Sequence, residues 1–217
     1  VPQPDYSPSA DRNKQAILDV LLQVLPPQGK ALEIASGTGQ HVAWFAQNLP
    51  GWTWQPTELH RGALHSIEAR VNAAELDNVL VAEQLDVCAA PWFDRTADNP
   101  QFDLIVCINM LHISPWAACP ALMRGAAQYL TAGGSLVTYG PYFEAGVTPT
   151  HSNLEFDQSL RAHDASWGIR QLADVDRVAA DAGLTLAARH TMPANNLLLV
   201  WKPVMPQRAS QAPQKHE

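Results

Sequence analysis

The stretch Ala31-Leu-Glu-Ile-Ala-Ser-Gly-Thr-Gly39 decides the fold. It reads as a short buried strand ending in an acidic residue and a glycine turn, with an amphipathic helix directly after it. Gly37 and Gly39 permit backbone conformations and close ligand approach that a Cβ obstructs, and a helix N-terminus after the turn offers unpaired N–H groups. A Gly-x-Gly alone says little. Glu33, at the predicted mouth of the site, narrows the reading. A dinucleotide site of the Gly-x-Gly-x-x-Gly kind sets a pyrophosphate on the helix N-terminus, where a nearby carboxylate repels it, and here Val42 holds the third glycine position. A ligand carrying an ammonium and a sulfonium, such as S-adenosylmethionine, tolerates or prefers that carboxylate.

In an open α/β sheet, ligands bind outside the carboxyl ends of the strands near the switch in strand order, so the rest of the site is sought at the ends of later strands. Trp52-Thr-Trp-Gln-Pro-Thr-Glu58 reads as a second strand, with Glu58 about 20 residues beyond the glycine turn, the separation at which a carboxylate takes ribose hydroxyls. Val79 to Asp86 reads as a third, with Asp86 placed to accept from an adenine amino group. Phe102 to His112 is a fourth, an apolar run ending in Asn109 and His112.

These residues resemble a class I S-adenosylmethionine-dependent methyltransferase from about Gln28 to Tyr142. Within that class the chain is similar to a small methyltransferase-like family long labelled a domain of unknown function. That likeness is carried by Ser7-Pro-Ser-Ala-Asp-Arg-Asn-Lys14, Glu33 to His41, Ile108-Asn-Met-Leu-His-Ile113, Thr131-Ala-Gly-Gly134, Phe156 to Arg161, Trp167-Gly-Ile-Arg170 and Met192 to Asn196. The resemblance implies a Rossmann-like α/β fold: a mostly parallel seven-stranded sheet with an antiparallel last strand and helices on both faces. It implies S-adenosyl-L-methionine as cofactor and S-adenosyl-L-homocysteine as product. Glu33 and Gly37 would border the methionine part, Glu58 the ribose and Asp86 the adenine, and the resemblance adds Ala35, Ser36, Thr38, Gly39, His41, Thr57, Leu59, Leu85, Val87, Asn109, Met110 and Leu111 to the cofactor-binding set. Class I enzymes usually carry glycine where this chain has Ala35; alanine fits if φ is negative there.

Composition agrees with a compact enzyme. At 217 residues and 47% hydrophobic, the chain is long enough for one sizeable core and short for two. A net charge of −7 with no Lys/Arg run disfavours a nucleic-acid substrate. Cys88, Cys107 and Cys119 show no Cys-x-x-Cys spacing and read as reduced thiols in a cytosol. With no apolar run approaching the ~18 residues of a membrane span, a cytoplasmic protein is expected, monomer or homodimer, taking a small-molecule acceptor and no membrane partner. No two of the eight histidines make a helical pair with a carboxylate nearby, so no metal is predicted.

One domain is expected over residues 1–204, opened by an N-terminal arm and helix over 1–27, with 205–217 a disordered tail. From Pro141 to Gln171 periodicity fails, and residues 141–171 are expected to form a substrate lid, because long irregular insertions are often functional. Arg161 and Arg170 there suit a carboxylate, phosphate or phosphonate, with Tyr139, Tyr142, His151, Asn153 and Trp167 shaping the wall. Alternatively these arginines pair with Asp157, Asp164 and Asp174 and brace the segment. Arg12 sits near a helix start, where the macrodipole disfavours a cation, so it either points into the site or is solvated; the family likeness favours the site and adds Asn13 and Asn196. His112 is the candidate base, needed only if the acceptor loses a proton during attack, and the competing role is packing on the adenine. His41, His60 and His65 fall on predicted helices as surface or supporting residues. The leading reading is a methyltransferase for a small anionic metabolite, on oxygen. A non-catalytic adenosyl-binding protein and a disfavoured NAD(P)-dependent oxidoreductase are the alternatives.

Overall fold

The computed structural model describes residues 3–93 and 101–204; the predicted tail over 205–217 lies outside them. Helix α1 (Pro8–Val24) starts where Ser7 caps the Ala10 N–H and Pro8 supplies a preset φ, and it buries Ile17, Leu18 and Leu21 along one stripe. Strand β1 (Gly29–Ile34) leads through the glycine turn into α2 (Gln40–Asn48), β2 (Trp52–Glu58) and α3 (Arg61–Ala73). Strand β3 (Glu83–Gln84), β4 (Phe102–Ile108), α4 (Ala118–Tyr129) and β5 (Leu130–Phe143) follow. The chain closes with α5 (His151–His163), β6 (Arg170–Gln171), α6 (Leu172–Asp181), β7 (Leu184–Met192) and β8 (Asn196–Pro203).

The strands lie in the order β3-β2-β1-β4-β5-β8-β7, with β6 paired beside the end of β5. Strands β1 to β6 pair in parallel, while β8 runs antiparallel to both β5 and β7, as expected for the last strand. Alternation along β4 divides the core: Leu104, Val106 and Ile108 join a cluster with α1 and α2, whereas Ile105 and Cys107 join one with α4 and α6. From β1 the chain goes to β2 on one side and returns to β4 on the other, so the carboxyl ends of β1 and β4 form the switch in strand order.

Three expectations need correction. The predicted third strand, Val79 to Asp86, pairs only through a bridge at Val79 and the two residues of β3. Trp54 exchanges hydrogen bonds with Asn78 and Leu80, but Pro56, two residues on, has no N–H to continue that ladder. The Gln55 side chain takes over by donating to Val81 O at 2.8 Å. Thr131 to Gly134, expected as a turn, is a bulge inside β5, where the register to β4 jumps between Phe102 and Leu104. The 141–171 segment is not irregular: it finishes β5, forms α5 under a Thr150 cap, and adds β6. Leu160 is the one buried residue of α5, so no apolar stripe announced the helix.

Candidate active site

The glycine turn leaves β1 through three left-handed residues: Ala35 at φ 57°, Gly37 at φ 55° and Gly39 at φ 74°. Ala35 therefore does not adopt the negative φ that would make alanine innocuous, and the backbone there is strained. Gly39 is obligatory twice over, since a Cβ on it would also lie 2.9 Å from Ile67 Cα. Two carboxylates meet at this loop. Glu58 Oε2 accepts from Gly37 N–H at 2.9 Å and its Oε1 from Leu59 N–H at 2.9 Å. Glu33 is buried beneath the loop, not at its mouth, and its Oε2 has no partner among the described residues. Burial, opposed by Ser36 and reinforced by the charge of Glu58, pushes the Glu33 carboxyl up to about 8.

The flanking residues hold the loop in place. Thr57 Oγ1 donates to Glu33 O at 2.7 Å, and Ser36 Oγ accepts from Thr57 N–H at 3.2 Å. Thr38 O accepts from Ser66 Oγ and from Arg70 Nε. Asp86 is exposed, with Oδ1 accepting from Cys88 N–H at 2.8 Å; Leu85 is buried, Val87 half-buried and Leu59 exposed. Asn109 leaves β4 at φ 60°, a conformation asparagine tolerates, and Met110 and Leu111 follow it into the turn that carries His112.

Helix α1 is latched across the starts of α2 and α3. Ser7 and Gln40 exchange hydrogen bonds, Asp5 N–H donates to Ser66 Oγ at 2.9 Å, and His41 Nε2 pairs with Asn13 Oδ1 at 2.7 Å. His41 is thus buried, not a surface residue, and burial first and Lys14 second lower its pKa to about 4.

Between α1 and the ends of β4 and β5 lies a cleft of about 590 Å³ that collects six of the sequence-predicted residues: Arg12, Asn13, Asn109, His112, Tyr139 and Asn196. Burial holds the Tyr139 hydroxyl above its usual pKa against the opposing contacts with Asn13 and Asn196. His112 is buried, faces Phe156 edge-on at 5.6 Å, and presses so close to β5 that a Cβ on Gly140 would lie 3.1 Å from its Nδ1. Burial, then the charge of Arg170, lowers its pKa to about 4, so the imidazole is neutral at pH 7.

The remaining predicted acceptor residues lie elsewhere. Tyr142 belongs to the opposite core, donating to Thr138 Oγ1 at 3.0 Å; three residues from Tyr139 on one strand, it faces the other side of the sheet. Arg170 is buried and caps the carbonyls of Leu111, Ser114 and Ser166. Arg161 pairs with Asp157 at 2.8 Å, Trp167 packs on His163, and Asn153 donates to Asn195 O. Arg161 follows the bracing alternative through Asp157, whereas Arg170 pairs with none of the three carboxylates and braces through carbonyls instead; Asp174 meets Arg177, and Asp164 caps its own turn through Ser166. Sequence reading missed Ile113 and Phe156 as cleft walls; Phe156 had a signal, an aromatic residue among polar neighbours, while Ile113 continues an apolar run and had none.

A family described as "Protein of unknown function (DUF938)" matches residues 4–203. Among solved structures, the chain is similar to the mitomycin 7-O-methyltransferase MmcR at 14% identity and TM-score 0.73, covering 88% of this chain and 54% of that one. It is similar to an O-methyltransferase family protein from Burkholderia thailandensis at 17% identity and TM-score 0.74, covering 90% and 58%. It also matches the O-methyltransferase NcsB1 from neocarzinostatin biosynthesis, in complex with S-adenosyl-L-homocysteine and 1,4-dihydroxy-2-naphthoic acid, at 16% identity and TM-score 0.70, covering 90% and 56%. The chain spans little more than half the length of these proteins. At such identities the likeness shows the fold, a Rossmann-like class I methyltransferase sheet.

Proposed function

The chain belongs to the DUF938 family, and from that premise and its fold we propose that it is an S-adenosylmethionine-dependent methyltransferase acting on oxygen of a small anionic metabolite. The observation that carries this reading is the pair of carboxylates at the glycine loop. Gly37 N–H, which a dinucleotide site would offer to a pyrophosphate, is taken by Glu58, and Glu33 lies buried beneath with an unpartnered oxygen. At pH 7 Glu33 keeps its proton in the free protein, so the negative charge at the loop is that of Glu58; a cationic ligand fits that field and favours ionisation of Glu33, and a pyrophosphate does neither. Glu33 and the Ala35–Gly39 loop would hold the methionine part, Glu58 the ribose, and Asp86 the adenine. When bound, S-adenosylmethionine supplies a methyl group on a sulfonium and leaves as S-adenosylhomocysteine.

The protein's share of catalysis is then to align the acceptor and exclude water. Arg12 is the cationic side chain lining the cleft among the described residues, so it replaces Arg161 and Arg170 as the partner of an acceptor carboxylate or phosphonate. Ile113, Pro141, Phe156 and Pro193 give the acceptor an apolar body to rest on, while Asn13, Asn109 and Asn196 supply polar contacts. His112, neutral at pH 7, takes the proton of a hydroxyl acceptor; an acceptor that is already ionised needs no base.

Parallel calorimetric titrations with S-adenosylmethionine, S-adenosylhomocysteine and NADH test the reading. Saturable binding of the adenosyl ligands, with none of NADH, is the expected result; NADH binding without them overturns it. In the acceptor screen that follows, Arg12→Gln should raise the acceptor KM roughly tenfold, the loss of one charge-assisted pair, and leave cofactor affinity unchanged.

A further inference from the structure

Arg161 and Arg170, absent from the acceptor cleft, converge on a different one. It is about 340 Å³ in volume, lies on the far side of the Leu111–Ser114 turn, and shares no lining residue with the first. Arg177 joins them from α6, with Trp116, Ile169, Gln171 and Asp174 completing the wall. We infer that this cleft binds a small oxyanion of the phosphate or phosphomonoester class and that its occupancy is communicated to His112.

The argument begins with charge balance. Asp157 is used on both oxygens, by Arg161 Nε at 2.8 Å and by Ile169 N–H at 2.7 Å, and the outer N–H groups of Arg161 make no hydrogen bond among the described residues. Arg177 touches Asp174 through one atom at 3.4 Å, and with side chains 62% and 54% exposed that pair exchanges readily with solvent. Arg170 makes its contacts to carbonyls, which carry no charge, so its full positive charge is balanced by no carboxylate within 4 Å among the described residues. The half-exposed Arg161 and the exposed Arg177, with the remaining Nη1 edge of Arg170, set donors of one sign around one open cleft and match the multidentate demand of a phosphate.

Coupling follows from what Arg170 holds. Its Nε donates to Leu111 O at 2.9 Å and its Nη2 to Ser114 O, the two carbonyls that bracket His112 and Ile113. Phe156, Gly140 and Asn109, which face or border the imidazole from α5, β5 and the end of β4, are uncharged; Arg12 of α1 and the Tyr139 hydroxyl line the same cleft, and Arg170 on β6 is the charge that lowers the His112 pKa. An anion resting on Arg170 screens that charge, and His112 then accepts a proton more readily.

The test is a titration with inorganic phosphate and with glycerol 3-phosphate at constant ionic strength, against chloride, read by calorimetry and by the NMR resonance of the His112 imidazole. Saturable binding is expected, with the His112 titration midpoint moving to higher pH. Affinity should fall roughly tenfold in Arg161→Gln and in Arg177→Gln, both surface changes, and stay unchanged in Arg12→Gln. The stronger of the two probes identifies whether a free phosphate or a phosphomonoester is the ligand. No response beyond chloride, or binding lost in Arg12→Gln and retained in the other two, overturns the site; binding that leaves the His112 midpoint in place overturns the coupling.

Discussion

The loop after β1 and the segment from Tyr142 to Gln171 treat their charges in opposite ways. At the loop, the carboxyl of Glu33 is buried with one oxygen unpartnered among the described residues, and three consecutive odd-numbered residues are held left-handed. In the later segment, Asp157 and Arg170 are satisfied by their own neighbours, the arginine by three carbonyls. Unsatisfied groups and strain weaken a fold unless something else stabilises them, so the first region has the character of a ligand site, whereas in the second the buried Arg170 acts as a brace and the anion proposed above falls chiefly to the half-exposed Arg161 and to Arg177 beyond the segment. Residue type does not separate the two; hydrogen-bond completion does.

Arg170→Met probes the brace most severely. It strips the donor from Leu111, Ser114 and Ser166, and a loss of about 3–5 kcal/mol is expected, the range for breaking a buried charged network. In urea unfolding the midpoint should fall with the slope unchanged. Arg161→Ala, by contrast, removes a half-exposed pair and should stay within about 1 kcal/mol. Equal effects would erase the distinction between brace and surface.

At the loop the expected sign reverses. The Glu33 carboxyl titrates near 8 in the folded protein against an ordinary 4.5, so between these values the folded chain keeps a proton that the unfolded chain has released. Stability therefore declines as pH rises through this window and levels off above it. Glu33→Gln should flatten that decline and gain about 3 kcal/mol at pH 7, while weakening S-adenosylmethionine binding. A variant that keeps the wild-type pH dependence would show that Glu33 is not the group responsible.

His41 titrates in the other direction. Its folded pKa of about 4 lies below the ordinary 6.5, so its contribution is complete above 6.5 and is lost as pH falls toward 4. About 2 kcal/mol should be gone by pH 5, and His41→Asn should reduce the pH slope of stability in that window by one proton. His112 contributes a second such slope and serves as the internal control.

These two regions were not equally readable. Strand β1, the glycine turn, α2 and β2 follow from apolar runs punctuated by Gly37, Gly39 and Glu58, because burial on a sheet imprints its own pattern. Helix α5 left no such imprint, since Leu160 is its one buried residue and Phe156, which faces His112, stays partly exposed in the cleft. The mismatch at Tyr142 was decidable in advance: strand parity puts it opposite Tyr139. The fate of Arg161 and Arg170 was not, because whether a guanidinium finds a carbonyl or a ligand depends on where turns that carry no periodicity bring them. Proline 56 lies between these cases, visible in the sequence yet informative only once the side of β2 that lacks its N–H is known.

The smallest expected effect tests the strain itself. Ala35 and Ala194 are both left-handed, at φ 57° and 56°, but Ala35 is half-buried against the core whereas Ala194 is exposed. Replacing either by glycine relieves about 1–2 kcal/mol of backbone strain and gives back ~0.4–1 kcal/mol through the greater freedom of the unfolded chain. At Ala194 nothing else changes, so a net gain of about 0.5–1 kcal/mol is expected. At Ala35 part of a buried methyl is also lost, worth up to about 0.8 kcal/mol, so the gain should be smaller or nil. The difference between the two melting shifts therefore measures how well the Ala35 methyl is packed. If Ala35→Gly instead gains as much as Ala194→Gly, the methyl contributes nothing to the core, and what keeps alanine at the head of the glycine loop must be sought in the protein with the proposed cofactor bound.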